Sequence, residues 1–148
     1  MDDAYWLVII TLLIIYIIRS KKKTFKCTKL KCGEAMVLKL IVRSDLKMST
    51  GKIISQVSHA LMGVYNFISS RKDVYEAWQN NGQAKIVLKG NIDDFKRIKK
   101  LCKENSIFVY SVCDAGRTQV DAGSNTVIAV GPGPKKIIDM ITGDLKLY

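Results

Sequence analysis

The chain has 148 residues, enough for one globular domain, and its 24 Lys and Arg residues against 13 Asp and Glu residues give a net charge of +11. An excess of that size favours a polyanionic partner, nucleic acid above all, although solubility alone would also account for it. The four cysteines show no CxxC spacing, which excludes a dense disulfide framework, argues against a structural zinc site and favours a reducing compartment.

Residues 1–34 differ in composition from the rest of the chain. Residues 4–18 carry no charge, and aromatic residues lie near both ends of this run, as interfacial anchors do. Acidic residues precede the run and basic residues follow it, the reverse of a cleaved secretory signal. As a helix the run would span only ~22 Å of the ~30 Å hydrocarbon core. We therefore expect residues 1–18 to be an anchor in a thin membrane and residues 19–34 a basic linker. The body would lie in the cytosol, and the mitochondrial outer membrane is one candidate.

The remaining residues, 35–148, alternate between strand and helix patterns. Short apolar runs predict strands, and apolar residues at helical spacing predict helices between them. The predicted strands cover residues 35–42, 84–89, 107–113 and 126–130, and the predicted helices cover residues 50–69, 73–79, 92–105 and 135–141. Residues 131–134, Gly-Pro-Gly-Pro, are expected to turn ahead of the last helix. This alternation predicts one α/β domain with helices on both faces of a small sheet.

The first helix of this domain has two different faces. Either Ser49 or Thr50 can cap its first turn with a hydroxyl group. At about 100° per residue, the apolar face holds Ile54, Val57, Leu61, Val64, Tyr65 and Ile68. The opposite face presents Lys52, Gln56, His59 and Gly63, including the single histidine of the chain. This polar stripe indicates either a solvated helix surface or one wall of a binding site, and the pattern leaves both open.

Two loops follow predicted strands, where functional sites form in α/β sheets. The first loop, residues 44–50, leads into the helix with the polar stripe. The second begins Asp114-Ala-Gly-Arg-Thr-Gln and places a carboxylate, a guanidinium, a hydroxyl and an amide within six residues. We predict that this second loop meets the polar stripe in one cleft. The alternative is an ordinary surface loop.

Five runs of residues share a wider pattern: RSDLKMSTGKIISQVSHA, GQAKIVLK, DAGRTQV, GSNTVIAVGPGP and the terminal TGDLKLY. They resemble, in order and without large gaps, the type 2 peptidyl-tRNA hydrolases of archaea and eukaryotes. The resemblance covers residues 36–148 and leaves the N-terminal segment outside. Ser49-Thr50 stands where the family usually has Gly-Lys, so one basic contact with tRNA is absent from this loop.

The resemblance implies a three-layer α/β/α sandwich around a four-stranded mixed sheet, with a homodimer as one expected assembly. It implies hydrolysis of the ester between a peptide, or an N-blocked amino acid, and the 3′-terminal ribose of tRNA, which recycles tRNA from aborted translation. No metal or cofactor is implied. The expected catalytic residues are Lys52, His59, Asp114 and Thr118. The expected substrate-binding residues are Gln56, Arg117, Thr126, Lys47 and Lys85.

An ester hydrolase of this kind needs an activated water, a hydrogen-bond donor to the oxyanion and a binding site for the tRNA that is released. Asp114 would hold the attacking water or its partner, and His59 would act as base or proton shuttle because histidine titrates near neutral pH. Lys52 and Thr118 would donate to the oxyanion or to the terminal phosphate, and Thr126 would orient the site. The identity of the base stays open. The alternative function is a non-catalytic, membrane-tethered adaptor on the same fold that binds RNA or protein, and any ribosome or protein partner is unspecified.

Overall fold

The computed structural model describes residues 3–20 and 33–148. Its elements in chain order are α1 (Asp3–Ser20), β1 (Met36–Arg43), a 3₁₀ turn (Ser44–Leu46), α2 (Thr50–Ile68), α3 (Lys72–Asn80), β2 (Lys85–Gly90), α4 (Ile92–Glu104), β3 (Val109–Cys113), β4 (Asn125–Pro134) and α5 (Lys135–Thr142). The strands and helices predicted for residues 35–148 are all present. Their ends lie within two residues of the prediction, apart from the C-terminal end of β4.

The four strands form one mixed sheet in the order β2-β1-β4-β3. Strand β1 is parallel to β2 and antiparallel to β4, and β4 is antiparallel to β3. Strand β1 lies inside the sheet and is buried along its whole length except at half-buried Arg43. A strand covered on both faces needs a nearly continuous apolar sequence, which β1 has. The predicted four-stranded mixed sheet is confirmed.

Helices cover both faces of this sheet. Side chains alternate across β1, so Leu38 and Leu40 face α2 and α3, whereas Val37 and Ile41 face α4 and α5. The helices contribute Ala60, Val64, Ile68, Val74 and Trp78 on the first face and Phe95, Ile98, Cys102, Ile138 and Ile141 on the second. Two apolar cores therefore sandwich the sheet, and the predicted α/β/α layering is confirmed.

Lys39 interrupts the apolar sequence of β1 on the α5 side. It is nearly buried, and its Nζ atom donates to the Thr142 hydroxyl at 2.9 Å and pairs with the Asp139 carboxylate at 2.7 Å. Hydrogen bonds from Lys135 and from Lys39 hold the pKa of Asp139 below its usual range. The ammonium group thus has the partners that a buried charge requires, and it ties α5 to the sheet.

Strand β4 extends further than predicted. Residues 131–134, expected as a turn, continue the strand, and Gly133 lies opposite Val37 of β1. Gly131 has a φ of +96°, and a Cβ atom there would lie 2.8 Å from the Val37 carbonyl oxygen, so glycine is required. Pro134 is the N-cap residue of α5, not its first helical residue. The turn prediction is wrong because pairing with β1 sets the path of the chain.

The N-terminal segment contains α1, which is 18 residues long. Across the described ranges, 3–20 and 33–148, no helix is long and apolar enough to cross a membrane. The predicted membrane anchor at residues 4–18 is therefore not supported. Most of the predicted linker, residues 19–34, lies outside the described residues.

Candidate active site

The chain between β1 and α2 brings a lysine to the first turn of the helix. Ser49 is the N-cap of α2, and its hydroxyl accepts a hydrogen bond from the backbone N–H of Lys52 at 3.4 Å. The structure therefore selects Ser49 rather than Thr50 as the cap. Because the helix begins here, the Lys52 side chain lies near the positive end of the helix dipole.

Helix α2 is rotated relative to the predicted orientation. Ile54 and Tyr65, predicted to face the core, are 61% and 53% exposed. Gln56 and Gly63, on the face opposite the predicted apolar face, are buried. The helix lies on the sheet through Ala60, Val64 and Ile68. This contact turns the polar stripe toward β3 and β4 instead of toward bulk solvent.

The loop after β3 holds Asp114 in a defined position. Its Oδ1 atom accepts a hydrogen bond from the backbone N–H of Gly116 at 2.8 Å. Its backbone N–H donates to Ser124 O at 2.9 Å, and its carbonyl accepts from Gly123 N at 2.8 Å, which closes the loop. Gly116 has a φ of +75°, and a Cβ atom there would lie 2.5 Å from Ala122 N. The loop therefore needs glycine at this position to fix the carboxylate.

A second set of contacts docks this loop on the start of α2. The side-chain oxygen of Gln119 accepts from the backbone N–H of Ser49 at 2.9 Å, and its amide nitrogen donates to the Ser49 hydroxyl at 2.8 Å. Gln119 belongs to the polar motif of the loop, but no role is predicted for it from sequence. The structure shows that it joins the two parts of the site.

The Asp114 carboxylate is the point at which the helix and the loop meet. Its Oδ2 atom accepts hydrogen bonds from the Lys52 ammonium and from the Gln56 amide, the latter at 2.9 Å. Lys52 Nζ also donates to the Thr118 hydroxyl at 3.2 Å. Lys52 and Asp114 are 62 residues apart in the chain. The predicted meeting of helix and loop is therefore observed as a direct tertiary contact.

Thr126, near the start of β4, sets the orientation of the Gln56 amide. Its fully buried hydroxyl donates to Gln56 Oε1 at 2.5 Å and lies 3.4 Å from the carbonyl oxygen of Val112. Because Thr126 occupies the amide oxygen, the amide nitrogen of Gln56 faces Asp114. Thr126 thus lies beneath the cleft and acts on Asp114 through Gln56.

The pKa of the Asp114 carboxyl lies below its usual range. The hydrogen bond from Lys52 is the largest cause and the Gly116 N–H is the next, while burial acts in the opposite direction. The carboxylate therefore stays ionised at neutral pH. A carboxylate that three donors hold in the charged form is a weak base but a well-oriented hydrogen-bond acceptor.

These groups line an open cleft of about 580 Å³ between α2, β3 and the following loop. The predicted site residues that line it are Lys52, Gln56, His59, Asp114, Arg117 and Thr118. The His59 and Arg117 side chains are exposed. The cleft therefore combines a fixed interior, around Asp114, with an imidazole and a guanidinium that a substrate can reach.

Besides Thr126, which lies beneath the cleft, two more predicted substrate-binding residues, Lys47 and Lys85, do not line it. Lys47 is exposed at the end of the 3₁₀ turn, where its φ is +48°. Lys85 is on β2, at the sheet edge opposite β3, and its Nζ atom lies 4.7 Å from the centre of the Trp78 ring. The strand order thus places Lys85 away from Asp114, which the sequence could not indicate.

The cleft also contains residues that sequence reasoning missed: Ser55, Met62 and Asn66 of α2 and Tyr110, Ser111 and Cys113 of β3. Extending the polar stripe by steps of three and four residues would have found the α2 residues. Cys113 is exposed, whereas Cys102 is buried. Within residues 3–20 and 33–148, no group of three or more His, Cys, Asp or Glu side chains could hold a metal ion.

Comparison with solved structures supports the fold. A protein of unknown function from Agrobacterium superposes with a TM-score of 0.54, over 76% of this chain and 97% of the other, at 14% sequence identity. At this level of identity the likeness concerns the fold alone.

Comparison with known sequences identifies the family. A human relative named peptidyl-tRNA hydrolase 2, mitochondrial, is 44% identical over 112 residues, which are 74% of this chain and 62% of the relative. A Methanothermobacter thermautotrophicus relative named peptidyl-tRNA hydrolase is 43% identical over 109 residues, 73% of this chain and 96% of the relative. A Dictyostelium discoideum relative is 43% identical over 111 residues, which are 53% of its length. The chain therefore spans less than two thirds of the length of the human and Dictyostelium relatives. The family model described as peptidyl-tRNA hydrolase PTH2 matches residues 36–148, and the chain belongs to this family.

Proposed function

We propose that this protein hydrolyses the ester between a peptide, or an N-blocked amino acid, and the 3′-terminal ribose of tRNA. The observation that carries the proposal is the Asp114 carboxylate, which Lys52 and Gln56 hold inside an open cleft. Family membership and the names of the relatives support the same activity. The reaction would release a peptide with a free carboxylate and a tRNA with a free ribose hydroxyl.

The charge of the chain supports a polyanionic substrate. Residues 1–34 hold seven of the 24 Lys and Arg residues and three of the 13 acidic residues, so residues 35–148 keep an excess of seven positive charges. Arg117 adds an exposed cation at the cleft itself. We propose that this charge attracts the tRNA backbone and that Arg117 contacts a phosphate near the 3′ end.

In the proposed mechanism Asp114 orients the attacking water. A carboxylate has about four acceptor sites. Lys52, Gln56 and Gly116 fill three of them, so one remains for a water molecule. Because the carboxylate cannot turn without breaking these bonds, a water bound there would approach the ester from a fixed direction.

His59 is the proposed general base. It lies three residues after Gln56 on α2, lines the same cleft and is exposed to substrate. Histidine is the side chain most often used for proton transfer in catalysis. His59 would take a proton from the water as it attacks the ester carbonyl carbon. The bond between that carbon and the ribose oxygen then breaks, and the proton passes to the ribose oxygen.

Lys52 is the proposed donor to the oxyanion, the negative oxygen that forms during the attack. An ammonium group has three N–H donors. Asp114 and Thr118 take two of them, which leaves one for a substrate oxygen. A preorganised donor of this kind typically contributes a rate factor of roughly 10² to 10³. Thr118 and Asp114 thus hold the Lys52 ammonium group in place and leave one of its three N–H donors for the substrate.

The test is to incubate the full-length protein with an N-acetyl-aminoacyl-tRNA labelled in the amino acid and to count the released acid. We expect turnover with this substrate and far less with the same tRNA carrying a free aminoacyl group. No release at micromolar concentrations of folded protein would refute the proposal. It would favour the adaptor function, which no observation on the described residues supports at present.

Assembly and location are further proposals. The relatives from mouse, cattle and human carry the word mitochondrial in their names. We propose that this protein also associates with mitochondria, and a fluorescent fusion that stays diffuse in cells would contradict this. The homodimer stays a prediction that sedimentation of the full-length protein can test.

A further inference from the structure

We propose that the cleft has a direction, with the end at the start of α2 receiving the 3′ end of tRNA and the far end, at Met62 and Tyr110, receiving the peptide. The assignment rests on the proposed function. It adds two residues that determine which peptidyl groups are accepted, and it orients the substrate along α2.

Positive charge is confined to one end of the cleft lining. Lys52 lies in the first turn of α2, and Arg117 is in the loop that docks there through Gln119. The helix dipole adds partial positive charge at the same end. Beyond His59 the lining residues are uncharged, namely Met62, Gly63, Asn66, Tyr110 and Ser111. Asp114 pairs with Lys52, so the exposed Arg117 is the cation that matches the phosphates of the tRNA end, and the uncharged residues match a peptide of variable sequence.

Tyr110 forms a wall at the far end because α2 has a glycine beneath it. A Cβ atom at position 63 would lie 2.1 Å from Cε1 of the Tyr110 ring, so only glycine lets the ring pack so closely on the helix. Gly63 is buried, yet Tyr110 remains 37% exposed and borders the cleft. The sheet thus presents part of an aromatic ring where the chemistry at Asp114 would place the peptide.

Met62 extends this apolar end. It is 61% exposed and lines both the cleft and a second groove of about 240 Å³ between α2 and α3. Lys52 and Met62 are ten residues apart, which is about 15 Å along the helix or about four residues of extended peptide. The flexible thioether of Met62 and the aromatic ring of Tyr110 make apolar contacts, which are less directional than hydrogen bonds. Such contacts suit a substrate whose peptide sequence varies.

The test compares two substrates on the same tRNA, one with a single N-acetyl amino acid and one with an N-acetylated tetrapeptide of apolar residues. The measured quantity is the ratio of kcat/KM for the tetrapeptide to kcat/KM for the single residue. Tyr110→Ala and Met62→Ser should each lower this ratio roughly tenfold, the usual effect of lost apolar contact in a pocket. Arg117→Ala should weaken binding of deacylated tRNA and lower both kcat/KM values together, which leaves the ratio unchanged.

Two controls keep the result specific. Met140 is a methionine that is 66% exposed on α5, on the other face of the sheet, so Met140→Ser should leave both rates unchanged. Tyr110→Phe keeps the ring and should restore the ratio that Tyr110→Ala loses. An unchanged ratio in both Tyr110→Ala and Met62→Ser, with turnover otherwise normal, would overturn this assignment alone. Absence of turnover by the unaltered protein with both substrates would refute the proposed function and this assignment with it.

Discussion

One buried hydroxyl controls the orientation of Gln56, and replacing it tests whether Thr126 acts on the site through this amide. Thr126→Val nearly keeps the shape of the side chain but removes the donor to Gln56 Oε1. Gln56 is only 4% exposed, so water does not readily replace that donor. Either the Gln56 amide oxygen stays unpaired, or the amide group flips by about 180°. The flipped amide would point its oxygen at the Asp114 carboxylate, which repels it.

The size of the effect follows from this geometry. An unpaired buried acceptor lowers the free energy of unfolding by about 1–3 kcal/mol. If the activation free energy rises by the same amount because Asp114 is less well oriented, turnover falls roughly 5- to 150-fold. The conversion follows because about 1.4 kcal/mol corresponds to a tenfold change in rate. The larger loss of turnover applies if the Gln56 amide flips, since Asp114 then loses the amide N–H donor and faces the amide oxygen.

Thr142 offers a matched control on the other side of the sheet. It is also fully buried, and its hydroxyl donates to Ile138 O at 2.6 Å and accepts from Lys39 Nζ at 2.9 Å. Thr142→Val should lose stability to a comparable extent without a change in the turnover of the folded protein. Urea unfolding measures the stability of both variants, and release of N-acetyl amino acid from saturating tRNA substrate measures their turnover.

Two outcomes would refute this reasoning. Folded Thr126→Val with normal turnover would show that the orientation of Gln56 does not matter to Asp114. An equal loss of turnover in Thr126→Val and Thr142→Val would show that activity follows general stability instead of the contact between Thr126 and Gln56.

Three further predictions concern charge. Asp114→Asn should lower turnover roughly 10²-fold or more without unfolding the protein. Asp121 is an exposed carboxylate of the same loop, so Asp121→Asn should leave turnover near normal. Equal rates for Asp114→Asn and the unaltered protein would contradict the role assigned to Asp114. Affinity for deacylated tRNA, measured by filter binding, should fall linearly with the logarithm of salt concentration because phosphate contacts release counterions, and a flat response would exclude nucleic acid as the partner. The lowered pKa of folded Asp114 means that its ion pair stabilises the fold above the pKa of an unfolded aspartate, about 3.9, and that this contribution is lost as the pH falls through the folded value. Urea unfolding at a series of pH values should therefore show a smaller acid-induced loss of stability for Asp114→Asn, and an unchanged pH dependence would contradict the ion pair.

Most of the secondary structure followed from local patterns. The apolar run at residues 35–42 predicted β1, and apolar residues at helical spacing predicted α4, whose buried residues are Phe95, Ile98 and Cys102. These signals are readable because the periodicity of a segment reports which of its faces is buried. The resemblance of the five motifs added that these four strands form one mixed sheet.

Local patterns failed where a distant segment decided the outcome. Gly and Pro content predicted a turn at residues 131–134, but pairing with β1 keeps these residues in the strand. The apolar face predicted for α2 is displaced, because its position depends on how Ala60 and Val64 pack on the sheet. Ile54 and Tyr65 are therefore exposed, although their spacing fits the buried stripe.

The sequence by itself determined the main polar groups at the centre of the site. Helical spacing placed Lys52, Gln56 and His59 on one stripe, and the loop motif supplied Asp114 and Thr118, because both signals reside within a few consecutive residues. Only the tertiary structure decided which of these groups touch. The order β2-β1-β4-β3 brings the end of β3 to α2 and leaves Lys85 at the opposite edge, and Gly63 admits Tyr110 to the cleft. Contacts between residues so far apart depend on strand order and helix rotation, which are set by the packing of the whole core.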